Sequence, residues 1–289
     1  MNECSTFQKE GFLSQESINK VSMTMEVEKD AFSIINSLNI ISMSMLNNFP
    51  REICLTNIVA NTLLIRATQS FQASTILIQN RFSSDIFHII RTIQETYFAI
   101  TAHIKDEHLF KLMCWQDEYS FKDATLKLLK TNPQLLKNYE KIIPEAEKKA
   151  STRRKEREFE KRKFEKESKR EINKIPQLTA YELFKINKEN TTAQRIYADY
   201  KLICNMYGHV SINSMLIHFE KTKDITILKF NSCGTKELHH AITYLLSVFI
   251  NILAEVDIKF FGECHKTEIN TLSKKAFSMF EEWQTIKKG

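Results

Sequence analysis

The sequence predicts an all-α fold: a multi-helix bundle with a long charged helical arm or insert, and one short strand or hairpin near 222–231. Three observations lead there. The 289 residues include only five glycines and four prolines, where average usage would supply roughly 20 and 14. Apolar residues recur at three- and four-residue spacings along most of the chain. A stretch dense in both charge signs carries no breaker at all. With 43% hydrophobic residues, the length suffices for one or two domains and a sizeable core.

The elements follow in order. Ser14 to about Asn47 repeats Ile, Val, Met and Leu with helical period, and Pro50 marks its end. Cys54 to about Arg81 and Ser84 to about Ile104 make two further helices, the second opening on a Ser-Ser-Asp capping sequence. Helical stretches continue at 106–130 and from about Gln134, with Pro133 and Pro144 near their starts. The charged segment then leads to Pro176. Ala180 to about Lys188 is short, and Thr191 to about Met206 has room to continue toward His218. Asp224 to Phe230 alternates β-branched residues and reads as a strand or hairpin arm. Helices at 236–260 and 267–287 close the chain. The expected organisation is one helical domain of 1–144 and 176–289, with 145–175 as the arm.

Glycine scarcity also excludes chemistry. Between Gly11 and Gly208 there is none, so no dinucleotide fingerprint, phosphate loop or nucleophile elbow fits there, since each needs positive φ or unhindered backbone approach. No cofactor is expected. The longest apolar run, Ala241 to Ala254, is too short to span a bilayer and reads as a buried core helix. Met1 to Glu10 lacks the apolar core of a signal peptide, and six scattered cysteines lack C-x-x-C pairing. A cytoplasmic protein with reduced thiols is the expectation, with no membrane partner. A zinc set of Cys233, His239 or His240, Cys264 and His265 matches no familiar spacing, so no metal is expected.

The net charge of +6 is local. From Glu145 to Lys174 there are thirteen Lys/Arg and eight Asp/Glu, a net of +5; the remaining 28 basic and 27 acidic residues leave +1. Opposite charges at three- and four-residue spacing support a solvated helix, and its sparse apolar residues, Phe159 and Phe164, give no coiled-coil seam. The arm is either a solvated helical hairpin or a basic surface for nucleic-acid phosphates. In the second case Arg153, Arg154, Lys155, Arg157, Lys161, Arg162 and Lys163 would bind.

On the 84–104 helix, Ile86, Ile89, Ile90, Ile93, Tyr97, Ile100 and Ile104 form one core stripe. Arg91 and Glu95 point the other way, amid Phe87, His88 and Phe98. No lysine occurs from Asn80 to Ile104, so this second face should also be covered, by another helix or a partner subunit. A second polar pair, Asn205 and His209, shares a helical face with Leu202 and Met206, and buried polar groups of this kind need partners. Mutual pairing of Arg91 and Glu95 with Asn205 and His209 is one reading; separate structural roles are the other.

Arg91-x-x-x-Glu95 followed by Tyr200-x(4)-Asn205-x-x-x-His209 resembles an uncharacterised group of bacterial helical domains, similar to a distant branch of the HEPN superfamily. The similarity covers roughly residues 55–260. It implies a metal-independent endoribonuclease of toxin–antitoxin, abortive-infection or antiphage systems, in which two helices, each carrying Arg, then a polar residue, then His four to six positions further on, meet across a dimer. The His would act on the 2′-hydroxyl or leaving group and the Arg on the phosphorane charge. Asn205 and His209 match the pattern, Cys204 stands at the Arg position, and Arg91 would supply the cation, oriented by Glu95 and assisted by Tyr200. Other HEPN domains are non-catalytic, so the alternative is a helical dimerisation or interaction module. In either case a homodimer is expected, with the 145–175 arm docking RNA or a protein.

Overall fold

The computed structural model describes residues 15–50, 54–132, 134, 137, 143–207, 219–221, 226–228 and 234–285. Among them lie ten helices: α1 Gln15–Val27, α2 Lys29–Asn47, α3 Leu55–Gln79, α4 Ser83–Lys105, α5 Glu107–Thr131, α6 Ile143–Ser168, α7 Ala180–Ile186, α8 Thr191–Met206, α9 Thr235–Phe260 and α10 Lys266–Thr285. Strands β1 Phe219–Lys221 and β2 Thr226–Leu228 pair antiparallel, with Phe219 opposite Leu228 and Lys221 opposite Thr226. The all-α expectation holds. The alternation at 224–230 did mark a strand, and its partner lies just upstream. The chain divides into two compact units, Met1–Ile100 with Glu189–Gly289, and Thr101–Lys188.

In the first unit α9 is the central helix and packs against α2, α3 and α10. The run Ala241–Ala254 is its middle, and Leu245, Leu246, Phe249 and Leu253 are fully buried. By length and composition α9 could also cross a membrane, but most of its apolar window is buried in the unit. Phe249 stacks on Phe71 of α3, with centroids 3.8 Å apart and planes within 9°. Two such buried rings contribute about 1.5–3 kcal/mol each by area removed from water.

The sequence suggested one helix from 14 to 47, and the structure breaks it at Glu28. That carboxylate turns inward: Glu28 Oε1 lies 2.9 Å from Nε2 of His239, whose ring stacks on Trp283 at 3.8 Å. Local hydrophobic period could not show a buried partner more than two hundred residues away.

In the second unit α5 and α6 form a hairpin. Lys130 pairs with Glu147, Arg154 with Tyr119, Arg157 with Gln116 and Arg170 with Asp106. These pairings step in opposite directions along the two segments, so the helices are antiparallel. Phe164 and Ile175 are buried with Leu112, against Leu109, Trp115 and Ile172. The charged segment is therefore one limb of a packed hairpin, in a unit wider than 145–175. Asp106 caps α5 by accepting from the Leu109 backbone N–H at 3.0 Å.

Candidate functional site

Arg91 and Glu95 sit one turn apart on α4, and the Arg91 Nε donates to Glu95 Oε1 at 3.1 Å. The same oxygen accepts from the Tyr200 hydroxyl of α8, also at 3.1 Å. The Arg91 guanidinium lies 5.8 Å from the centre of the Tyr200 ring. Cys204, one turn beyond Tyr200, is buried on the same side of α8 and acts electrostatically on both Tyr200 and Arg91. Four residues from two helices thus meet at one place. The ion pair is neither sealed nor free in solvent: the Arg91 and Glu95 side chains keep 28% and 34% exposure.

The surroundings explain why α4 has no lysines. Phe87 stacks on Tyr207, with centroids 3.9 Å apart, and meets Tyr244 edge-on. Phe98 takes edge contacts from Tyr197 and Tyr200. The second face is covered by α8 and its C-terminal Tyr207, within the same chain, while His88 is exposed. Of the predicted core stripe, Ile86, Ile90, Ile93, Tyr97 and Ile100 are buried, and Ile89 and Ile104 are half-buried.

One expectation about α8 is corrected. The face shared by Leu202, Asn205 and Met206 is not buried: all three residues are exposed. The buried side runs through Ala193, Ile196, Ile203 and Cys204, and Tyr200 belongs to it. Asn205 lies five residues on, about 140° around the helix, and so faces away from the Arg91 cluster. His209 and the continuation toward His218 lie outside the described residues, as does Cys233.

Burial sets the titration of the cluster. It pushes the Tyr200 hydroxyl well above the ordinary phenol range, with Cys204 and Glu95 adding to the effect and Arg91 opposing it. The phenol therefore stays protonated and acts as a donor. For Arg91, burial works against the charge, but Cys204, Glu95 and Tyr200 together outweigh it and raise the pKa. The site offers a permanent guanidinium, held in one orientation by a carboxylate, beside a neutral phenolic O–H. Such a group can neutralise an anionic oxygen at a fixed place.

Residues 57–225 match the family of unknown function DUF5677. The chain belongs to DUF5677. No curated protein and no solved structure matches it. The DUF5677 span takes in Arg91, Glu95, Tyr200 and Cys204, together with the whole α5–α6 hairpin, whereas α1, α2, α9 and α10 lie outside it.

In this DUF5677 chain the expected nucleic-acid residues of α6 fall into two groups. Arg154 donates from Nε to the Tyr119 hydroxyl at 2.9 Å, Arg157 holds Gln116 and lies over the Tyr119 ring at 4.7 Å, and Lys161 is 3.7 Å from Glu165. These three are engaged inside the unit. Lys155, Arg162 and Lys163 are exposed, and Arg153 is half-buried in a shallow cleft with Trp115, Glu118 and Glu156. Among the described residues no cluster of His, Cys, Asp or Glu could hold a metal ion. His239 is paired with Glu28, and His265 with Asp257 through Nδ1 at 3.0 Å. Sequence reasoning named Cys204 only as a departure from a motif; its neighbours in space were not readable from spacing.

Proposed function

We propose that this protein is a HEPN-like, metal-independent endoribonuclease whose substrate phosphate is bound at the Arg91–Glu95–Tyr200–Cys204 cluster. The observation that carries the reading is the position of Arg91. In the resembling motif an Arg stands directly before Asn205, and here Cys204 stands there. Arg91 of α4 lies by the Tyr200 ring, one turn before Cys204, and acts electrostatically on Cys204, which supports a cation supplied from another element. Glu95 orients the guanidinium, and Tyr200 contributes a donor.

In this reading His209 takes the proton of a ribose 2′-hydroxyl as its oxygen attacks the adjacent phosphorus. The 2′-O–P bond forms, the P–O5′ bond breaks, and water protonates the departing oxygen, while His209 later returns its proton to solvent. Arg91 neutralises the charge that builds on the equatorial oxygens. Lys155, Arg162 and Lys163 would steer the strand, two copies would act as a homodimer in the cytoplasm, and the biological setting would be a toxin–antitoxin or antiphage system.

The test is growth of cells expressing wild type, Arg91→Ala or His209→Ala. Growth arrest by wild type alone, with all three proteins equally folded, supports the reading. Equal behaviour of the three overturns it.

A second reading, a non-catalytic module whose hairpin docks a partner, is favoured by Phe159, 66% exposed on α6, and by exposed Phe121 and Leu128 on α5. Under it, Arg91→Ala is silent, and Phe159→Glu abolishes the phenotype.

A further inference from the structure

The outward faces of α2 and α3 are unlike the rest of the surface. On α3 the exposed positions Leu55, Ile58, Thr62, Ile65, Gln69 and Ile76 fall within about 60° of one direction. That direction is opposite Leu64, Phe71 and Ile78, which face the core. On α2 the exposed set is Ser33, Asn36, Ile40, Met43 and Asn47, preceded in the first turn by the exposed Lys29 and Asp30. The two stripes abut, because Gln72 Nε2 of α3 donates to Asn39 Oδ1 of α2 at 2.9 Å and touches Met43 Sδ at 3.7 Å. Ile40 and Ile76, 68% and 60% exposed, lie in this zone.

Charge is almost absent from it. From Ala31 to Gln79, Arg66 is the one charged side chain among the described residues. At the chain's own 26%, the 46 described residues of that span would carry about 12. Core packing explains part of the deficit, but of the fourteen exposed positions in that span only Arg66 is charged. A face that remained in water would gain solubility from charges and lose nothing by having them.

We infer that the α2–α3 face is the interface with a second copy of this chain, packed about a two-fold axis as four helices. The area fits. Helices of 19 and 25 residues are about 28 and 37 Å long, and two of them at about 10 Å spacing present about 600 Å² in projection. Side-chain relief brings that near the about 800 Å² per partner of a standard interface. Charge depletion and an apolar centre mark homodimer interfaces. A dissimilar partner of a protein this charged would be selected by complementary charges, and this face offers Arg66 alone beyond the first turn of α2. A membrane-surface face would be rimmed by Lys and Arg, where the described residues of this one supply Arg66 and, at the start of α2, Lys29. The Gln72–Asn39 clamp holds the centre of the patch in place before association, which lowers the ordering cost. The inference does not depend on the ribonuclease reading.

Sedimentation equilibrium of the full chain across a concentration series tests it. Wild type should fit a reversible dimer of twice 33.9 kDa. Ile40→Glu with Ile76→Glu should weaken the dimer by roughly 100-fold or more, because each new carboxylate is desolvated twice across the axis. Gln69→Glu, at an exposed polar position of the same stripe, cannot disturb the core and should weaken it in the same direction. Phe159→Glu, in the other unit, should leave it unchanged. A wild type monomeric at every concentration overturns the inference. So does a dimer that neither face variant weakens, or a monomer that co-sediments with phosphatidylcholine vesicles.

Discussion

Tyr200→Phe removes one oxygen from the centre of the candidate site and leaves its shape. The hydroxyl donates to Glu95 Oε1 at 3.1 Å. Hydrogen bonds to ionised acceptors contribute about 1.5–3 kcal/mol. Glu95 keeps 34% side-chain exposure, so water replaces part of the loss, and the expected cost is about 1 kcal/mol. The ring remains, with its edge contact to Phe98, its near-parallel packing on Tyr197 and the guanidinium above it. For a unit of about 200 residues that cost lowers Tm by about 2–4 °C. Urea unfolding of wild type, Tyr200→Phe, Glu95→Ala and the double variant closes a cycle around the contact. A coupling of about 0.5–1 kcal/mol is expected. Additivity within about 0.3 kcal/mol would refute the cluster as a cooperating unit.

Three other outcomes follow from the structure. Glu255 of α9 is raised above the ordinary carboxylate range by burial, so its neutral form is favoured in the folded state. The stability it contributes is present below the unfolded pKa and lost as pH rises through the folded one. Glu255→Gln should raise the urea midpoint at pH 7 and leave it unchanged at acid pH; parallel profiles would count against burial as the cause. Phe71→Ala removes a fully buried ring stacked on Phe249 and should cost about 3–5 kcal/mol in chemical unfolding, whereas a cost below about 1 kcal/mol would contradict the packing of α9 on α3. Phe164→Ala removes the buried anchor of α6 on α5 and should make 101–188 selectively sensitive to limited proteolysis, with the first unit intact. Uniform sensitivity across the chain would refute independent packing of the hairpin.

Helices were legible because each carries its own signal. Pro50 stops α2, Asp106 caps α5, and the isoleucine stripe of α4 needs no knowledge of its partner. The Arg91–Glu95 pair was equally local, four residues apart on one helix. Tyr200 could be named but its approach could not be derived, since its contact with Glu95 joins residues 105 apart in sequence. On α8 the hydrophobicity ranking misled. Leu202 and Met206 are apolar yet exposed, while Cys204 is buried and Tyr200 turns inward, edge-on to Phe98 and donating to Glu95 Oε1. Glu28 shows the same limit, since a buried carboxylate breaks an otherwise continuous helical pattern for the sake of His239.

The central claim is that Arg91 serves RNA cleavage, and cleavage of single-stranded RNA in EDTA by purified wild type and Arg91→Ala tests it most directly. The account predicts cleavage by wild type that leaves 2′,3′-cyclic phosphate ends. Arg91→Ala should lose about 100-fold or more in rate, with circular dichroism and melting nearly unchanged. Cleavage at equal rates by both proteins, or none by wild type, would contradict it.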